Sequence, residues 1–454
     1  MRPWLPTLSV GVATLLAATA AQAQEAPGRE SNTGPLYDIG QKLDAEGIRF
    51  RAQLINETAN NPIGGVGQGS NTAGQLQFGA SFDMQKLVGL PGGMFHITFV
   101  RSYGESLAKN QTGDFVKTQE VFKNPYHRLK LGIIAYEQKA FDDKLDVLVG
   151  RLGTTALYGR LATTCYFESG LTCGVPQLLN SEAGFTFPTS ATWAANIKYH
   201  FTPNLSWQVG AYEVNPFIQH TNGFDWSTAH ATGVTVPTEL QIGEYDLAKH
   251  RYPGTLKLGG YVSTAPVNDL FYNANFQSIA LHGGKPLVSP TLRSGFYVMG
   301  EKAVWRPESD PNKSLTLFGG YAQALDPAEI ARLQVYAGGA LRGVVPHRPH
   351  DIISFTASYL DITPAEIDFL RDARLKAGGH GENKPNQFGF EADYSWLLFN
   401  SARVAPNISY IINPDNSNIP VTRVLPKNIL TIGLKITFNF ANWLGLPAAP
   451  SLSD

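Results

Sequence analysis

Apolar and polar residues alternate along many short segments of this chain. In residues 428–440 the even positions from Leu430 to Phe440 are all apolar, whereas the odd positions from Thr431 to Asn439 carry polar residues or glycine. Successive side chains of a β-strand point to opposite faces, so this segment has one apolar and one polar face. The pattern recurs through a chain that offers no helical packing partners, and it predicts strands of a transmembrane barrel with their apolar face toward lipid.

The spacing of these segments predicts an all-β fold, a transmembrane antiparallel β-barrel of about 16 strands. An even number of strands places both chain ends on the periplasmic side of the membrane. Compact turns, as at 90–93 and 202–204, alternate with long polar connections, as at 60–74 and 154–190. Short periplasmic turns and long outer loops are typical of outer-membrane barrels.

Two short helices are expected outside the strands. Leu36, Ile39 and Leu43 share one face of residues 35–46, which predicts a short N-terminal periplasmic helix before the first strand. Pro364 is well placed to begin a second helix, which would lie in an outer loop.

The first residues have the features of an export signal. Arg2 is followed by an apolar run at 8–20 and by a small-residue cleavage site that ends at Ala23. No later run of roughly 18 apolar residues is present, which leaves a secreted soluble protein or a barrel of the bacterial outer membrane. The predicted divisions are a signal peptide at 1–23, a periplasmic segment with the helix at 24–46, the barrel at 47–440 and a tail at 441–454.

Composition favours the barrel. Charged residues make up 16% of the chain, against about 25% for a typical soluble domain. The 36 basic and 37 acidic residues nearly cancel, so no strong field favours nucleic acid, simple anions or simple cations as partners. The expected partners are outer-membrane lipid and lipopolysaccharide, with the barrel-assembly machinery acting during biogenesis.

Strand parity separates lipid-facing from lumen-facing residues. In the first predicted strand it directs Phe50 and Leu54 to lipid, and Arg49, Arg51 and Glu57 to the lumen. An arginine facing lipid is costly near the membrane midplane, so this register is well determined. The same procedure applied to the other strands predicts a polar lumen of mixed charge.

Two further arginines are harder to place. Arg101 and Arg151 share parity with the apolar residues Phe99 and Val149, and each lies at the outer end of its strand. They are expected either to bend inward or to lie at the level of the lipid headgroups.

The connection at 154–190 holds Arg160, Glu168 and both cysteines, Cys165 and Cys173. A wide barrel leaves an aqueous channel, and an infolded loop is a usual way to narrow it. Because the chain passes through an oxidising compartment, the two cysteines are expected to form a disulfide that stiffens the constriction. The alternative to the disulfide is a pair of free thiols. The alternative to a constriction is an exposed loop that the disulfide merely protects against proteolysis.

No motif indicates catalysis, a metal site or a cofactor. His347 and His350 have a possible metal spacing but no clear third ligand. The sequence contains neither a nucleophile elbow nor a metalloprotease helix motif. An outer-membrane hydrolase is therefore only a weak alternative to a channel.

The two ends of the mature chain carry recognisable segments. Residues 36–65 read LYDIGQKLDAEGIRFRAQLINETANNPIGG, a short helix that ends in a glycine before a strand, followed by an asparagine and Gly-Gly. The C-terminal part contains SYLDITP at 358–364, FEADYSWLLFN at 390–400, APNISYIINPDN at 405–416 and ITFNF at 436–440. These segments resemble the opening and closing strands of the carbohydrate-selective porins of the OprB family. The tail after Phe440 is a departure, since such barrels usually end at or near the terminal phenylalanine.

The resemblance implies a monomeric sixteen-stranded porin that passes monosaccharides such as glucose, with basic and acidic side chains at the constriction bonded to sugar hydroxyls. A neutral polyol needs donors and acceptors that replace its hydration and then release it. Register and loop position supply the candidate constriction residues, which are Arg49, Arg51, Glu57, Arg101, Arg151, Arg160 and Glu168. A general diffusion porin, a porin for aromatic or amino acids, and a structural barrel with a plugged lumen are the alternatives.

Overall fold

A computed structural model describes residues 34–121, 128–181, 184–289, 291–326, 328–450 and 452. The predicted signal peptide at 1–23 lies outside the described residues. Eighteen strands are present in this part of the chain. In chain order they are β1 (Ile48–Gly65), β2 (Gly69–Asp83), β3 (Gly93–Gly104), β4 (Leu129–Ala140), β5 (Leu145–Leu152), β6 (Thr192–Thr202), β7 (Leu205–Val214), β8 (Gly233–Ile242), β9 (Gly254–Ser263), β10 (Asn268–Asn273), β11 (Pro286–Val288), β12 (Arg293–Trp305), β13 (Ser314–Ala324), β14 (Ala331–Arg342), β15 (Ile352–Ile362), β16 (Asn386–Phe399), β17 (Ala402–Ile412) and β18 (Lys427–Asn439).

Sixteen of these strands close into an antiparallel barrel. Each barrel strand pairs with its neighbour in the chain, and β1 pairs with β18 to close the ring. The strands β10 and β11 form a separate two-stranded sheet within the long connection between β9 and β12. Closure gives every barrel strand a partner on both sides, which is the condition for a sheet to cross a bilayer. The predicted barrel of sixteen strands is confirmed.

The helices are short and form no part of the barrel wall. In chain order they are α1 (Tyr37–Ala45), α2 (Met84–Val88), α3 (Gln177–Ser181), α4 (Ile279–His282), α5 (Pro364–Lys376) and α6 (Phe440–Leu444). The predicted N-terminal helix corresponds to α1, and α5 begins at Pro364 with the Thr363 side chain accepting a hydrogen bond from Glu366 N. Within the described residues, no helix is long and apolar enough to cross a membrane.

The first outer connection is much shorter than the sequence pattern predicts. The long loop expected at 60–74 is wrong, because β1 continues to Gly65 and β2 begins at Gly69. The side chain of Asn61 donates to Gly64 O at 3.2 Å and to Gly67 O at 2.8 Å, and it accepts from Gly69 N at 3.0 Å. Asn61 thus closes a tight turn. The uncharged polar residues on either side of this turn, which predict a loop in the sequence pattern, instead extend the two strands.

The apolar core lies inside the barrel. It is formed by the connection between β5 and β6, residues 153–191, together with inward-facing wall residues. We call residues 153–191 the crossing loop, of which the structure describes all but 182–183. The crossing loop supplies Leu157, Tyr158, Leu161, Phe167, Leu171, Leu178 and Leu179, and the wall supplies Leu148, Tyr212, Tyr261, Tyr297, Phe318 and Tyr336. The predicted infolded loop is therefore present, and it fills part of the lumen.

Candidate functional site in the barrel lumen

Wall carboxylates hold the crossing loop in place by accepting hydrogen bonds from its backbone. Glu239, Glu301 and Glu391 lie on β8, β12 and β16, and their exposed fractions are only 1%, 4% and 1%. The main contacts are Gly159 N to Glu239 Oε2 at 2.9 Å, Ala162 N to Glu301 Oε1 at 2.8 Å, Thr163 N to Glu301 Oε2 at 2.9 Å and Glu168 N to Glu391 Oε1 at 2.7 Å. Hydrogen bonds to charged acceptors are among the strongest in proteins. The three carboxylates therefore fix the path of the crossing loop.

A buried lysine on β18 fixes the middle of the crossing loop as well. Lys435 on β18 donates to Phe167 O at 2.6 Å, and its Nζ lies 3.3 Å from Cys173 Sγ. The same ammonium group forms an ion pair with Glu57 Oε1 on β1 at 3.3 Å. Lys435 is 5% exposed and Glu57 is fully buried, so this contact is largely shielded from water.

Glu57 and Glu168, both candidates from the sequence, lie in this anchoring region. Glu57 Oε2 accepts from Val121 N at 2.8 Å, and Glu168 Oε2 accepts from Asn407 Nδ2 at 2.7 Å. Glu168 is only 1% exposed. Both carboxylates therefore hold loops to the wall, and neither presents an open acceptor to the channel.

The disulfide predicted between Cys165 and Cys173 is wrong. Both cysteines are free thiols in the structure, with Cys165 half-buried and Cys173 buried. Cys173 Sγ instead contacts Lys435 Nζ on the wall. The stiffness expected from a covalent bridge comes from the hydrogen bonds between the crossing loop and the barrel wall.

Arg160 differs from the other charged groups of this region. It lies on the crossing loop between the contacts to Glu239 and Glu301, and it is half-buried. Its guanidinium group makes no hydrogen bond or ion pair with any residue that the structure describes. A guanidinium group carries five N–H donors. Arg160 is therefore the sequence-predicted residue whose donors are free to meet a solute.

Arg49 and Arg51 face inward at the periplasmic end of β1, as parity predicts. Arg49 Nε forms an ion pair with Asp44 Oδ1 of α1 at 2.8 Å, and its side chain is 39% exposed. Arg51 Nη1 donates to Thr98 Oγ1 at 3.4 Å, and Nη2 donates to Pro450 O at 2.6 Å. Both guanidinium groups stand at the periplasmic mouth with part of their donor capacity occupied by this chain.

Arg101 and Arg151 lie on the outer face of the barrel. Arg101 is exposed and shares the outward parity of β3. The guanidinium group of Arg151 lies 5.5 Å from the ring centre of Trp193 and donates to Ala191 O at 3.1 Å. Arg151 is only 2% exposed, so it is covered by its neighbours on this face. Neither arginine bends into the lumen, because each keeps the parity of its apolar strand neighbours.

Two outer loops lock together above the barrel. Phe115 N donates to Asp415 Oδ1 at 2.8 Å, and Asn418 Nδ2 donates to Asp114 O at 2.6 Å. The side chains of Asp114 and Asp415 are fully buried. Burial, with a further contribution from Asp415, raises the pKa of Asp114 to about 8. These carboxyl groups therefore belong to the packing between loops and not to the channel surface.

Sequence reasoning missed part of the site that the structure reveals. The carboxylates Glu239 and Glu301 were not among the candidates, although each has the inward parity of its strand and could have been found by the procedure applied to β1. Within the described residues no group of three His, Cys, Asp or Glu side chains is placed to hold a metal ion. The site is thus a polar lumen crossed by an anchored loop.

Comparison with known proteins identifies the class of channel. The family model described as "Carbohydrate-selective porin, OprB family" matches residues 67–440. The chain belongs to this family. It is an outer-membrane porin selective for carbohydrates, and the family indicates a channel rather than an enzyme.

Individual proteins resemble this chain over most of its length. Porin B of Pseudomonas aeruginosa is 26% identical over 441 residues, which cover 92% of this chain and 93% of that protein. The high-pH structure of Pseudomonas putida OprB superposes with a TM-score of 0.77 at 26% identity, covering 88% of this chain and 96% of that one. The low-pH structure of the same protein gives a TM-score of 0.55 at 19% identity, covering 90% and 99%.

Proposed function

We propose that this OprB-family porin selects small sugars at the crossing loop, with Arg160 as the principal donor to sugar hydroxyl groups. The observation that carries the proposal is the guanidinium group of Arg160, which has no partner among the described residues, on a loop that is otherwise anchored to the wall. A donor held on a fixed loop can replace water on a passing polyol without a large ordering cost. Weak, replaceable bonds of this kind permit both recognition and release.

The acceptors for sugar hydroxyls are assigned to uncharged groups. Glu57 and Glu168 are buried in the anchoring contacts, so we do not assign them this role. The half-buried, inward-facing pair Gln53 and Gln77 stands opposite in the register of β1 and β2. Each amide provides a carbonyl acceptor and an NH₂ donor. We infer that these amides, together with Arg51, line the route between the crossing loop and the periplasmic mouth.

A porin for other small solutes, including anions, is the alternative function. One observation favours it, which is that the accessible charges of the candidate set are basic. Arg49, Arg51 and Arg160 are half-buried, whereas the acidic candidates Glu57 and Glu168 are buried. An excess of accessible positive charge at a constriction raises the local concentration of anions.

Solute flux into liposomes distinguishes these functions. The wild-type protein is compared with Arg160→Gln, using glucose, a disaccharide, a neutral amino acid and potassium salts of small and large anions. We expect Arg160→Gln to lower glucose flux relative to salt conductance, because the substitution removes donors without narrowing the channel. Arg101→Gln is the matched control, since it makes the same change on the outer face.

Three results would count against sugar selection at Arg160. Flux that depends only on solute size in both proteins would indicate a general diffusion porin. Anion fluxes that fall while glucose flux is unchanged would favour the alternative function. An equal loss in Arg101→Gln would mean that the effect comes from membrane insertion and not from the channel.

We further infer that one chain forms a complete pore. The pairing of β1 with β18 leaves no barrel edge that requires a second copy, which supports a monomer. Insertion of such a barrel into a leaflet of lipid and lipopolysaccharide would depend on the barrel-assembly machinery. Size-exclusion chromatography with light scattering in detergent tests the monomer.

A further inference from the structure

The residues after the last strand turn back toward the barrel. Helix α6 ends at Gly445, whose φ of +82° is a left-handed conformation that favours glycine. Leu446 N then donates to Ala441 O at 2.9 Å, which reverses the direction of the chain. The match to the OprB family ends at Phe440. We call residues 445–450 and Leu452 the tail segment; they lie beyond the residues that the family model matches.

The tail segment first extends the barrel wall. Strand β18 pairs with β1 only from Gln53 onward, so the edge of β1 nearest the periplasm has no partner there. Ala448 fills this place by forming a parallel bridge with Phe50. Phe50 N donates to Pro447 O at 2.7 Å, and Ala449 N donates to Phe50 O at 2.8 Å. Backbone pairing of this kind fixes both the position and the direction of the segment.

Beyond this bridge the tail segment enters the lumen. Pro450 O accepts from Arg51 Nη2 at 2.6 Å, and Arg51 also contacts Thr98, which is inward-facing and 1% exposed. Two residues later, half-buried Leu452 packs against the apolar cluster inside the barrel. The segment therefore passes from the periplasmic rim to the apolar cluster inside the barrel.

The base of the tail segment is fixed to the N-terminal helix. Leu36 N donates to Leu444 O at 2.7 Å. A Cβ atom on Gly40 would lie 2.2 Å from Gly445 O, and one on Gly34 would lie 2.3 Å from Gly445 N. Such distances exclude any larger residue without movement of the backbone, so both glycines permit close packing of α1 against the turn. The segment thus has a rigid attachment to α1.

We propose that the tail segment narrows the periplasmic exit of the channel and thereby sets its conductance. The carbonyl of Pro450 also accepts a hydrogen bond from Arg51, whose side chain faces the lumen, so the segment acts on specificity as well as on width. The proposal rests on the channel function of the family and not on the role assigned to Arg160.

Two variants test this proposal by different routes. The first lacks residues 447–454 but retains α6 and the turn at Gly445. The second is the full-length Ala449→Pro, in which the N–H that donates to Phe50 O is missing. Ala448→Ser is the matched control, because Ala448 is exposed and a serine there leaves the backbone pairing intact. Single-channel conductance is recorded in potassium chloride, after heat-modifiable mobility has established that each barrel is folded.

We expect a higher conductance in the truncated protein and in Ala449→Pro, with Ala448→Ser equal to wild type. Unchanged conductance in folded samples of both variants would overturn the proposal. This holds even if the thermal stability of the variants falls, because the tail segment would then have only a structural role. Failure of both variants to assemble would overturn it as well, by identifying a folding element. Because salt carries the current, a failure of sugar selection at Arg160 leaves this result unaffected.

Discussion

Replacing Lys435 by methionine tests whether the crossing loop depends on one buried charge. The substitution keeps the length and most of the apolar stem of the side chain but removes the ammonium group. Phe167 O then loses the bond that it accepts at 2.6 Å, and Glu57 loses the ion pair at 3.3 Å. Glu57 retains its bond from Val121 N, so it would be only partly satisfied in a buried position.

The expected magnitude follows from this burial. Removing one partner of a buried ion pair costs about 3–5 kcal/mol. The remaining bond from Val121 N places Lys435→Met at the lower end, about 3 kcal/mol, which corresponds to a shift of about a hundredfold in the equilibrium between anchored and released loop. An exposed ion pair would instead contribute less than about 1 kcal/mol. The pair Lys313 and Asp310, in a periplasmic turn with side chains 40% and 35% exposed, is such a case.

The assay is single-channel recording in planar bilayers, combined with the temperature at which mobility on gels shifts from folded to unfolded. We expect Lys435→Met to show frequent transitions to larger conductance and a lower transition temperature. Lys313→Met, the matched control, should resemble the wild-type protein. The double variant Glu57→Gln with Lys435→Met should recover much of the loss, because no unpaired charge remains from this ion pair.

Two results would refute the reasoning. Wild-type conductance and thermal stability in Lys435→Met would mean that the loop does not depend on this lysine. A double variant as impaired as the single variant would mean that pairing with Glu57 is not the source of the effect.

Two further predictions concern the loops outside the wall. Because the pKa of Asp114 is raised to about 8, the folded protein binds this proton more tightly than the unfolded chain does. The stabilising contribution of Asp114 is therefore complete below about pH 4 and is lost as the pH rises through about 8. Protease cleavage of the outer loops should increase over that range, and Asp114→Asn should flatten this pH profile. A wild-type profile without pH dependence, or an unaltered one in Asp114→Asn, would contradict this. Alkylation of the folded protein should modify Cys165 faster than Cys173, as measured by mass mapping. Cys173 is 4% exposed, and burial raises the pKa of its thiol. A disulfide found by mass mapping, or equal rates of alkylation, would disprove this prediction.

The sequence alone determined the barrel and the orientation of its strands. Alternation has a period of two residues and is read locally, so the inward parity of Arg49 and Arg51 follows from their apolar neighbours without knowledge of the fold. The two helices could be predicted for the same reason, since Pro364 and the apolar face before β1 are local signals. Parity also predicts the orientation of Arg101 and Arg151, which share the outer face of the barrel with the apolar residues.

Only the tertiary structure decided what the inward-facing residues do. Glu391 accepts a bond from Ser169, 222 positions away in the chain, and no local pattern records such a contact. Glu57 and Glu168 were expected to bind solute, but both are buried in contacts between loops and wall, whereas Arg160 has no partner among the described residues. The same holds for Cys173, which meets Lys435 instead of Cys165, and for the tail, whose course depends on the unpaired edge of β1. Parity states which way a side chain points, and only the folded chain determines what it meets there.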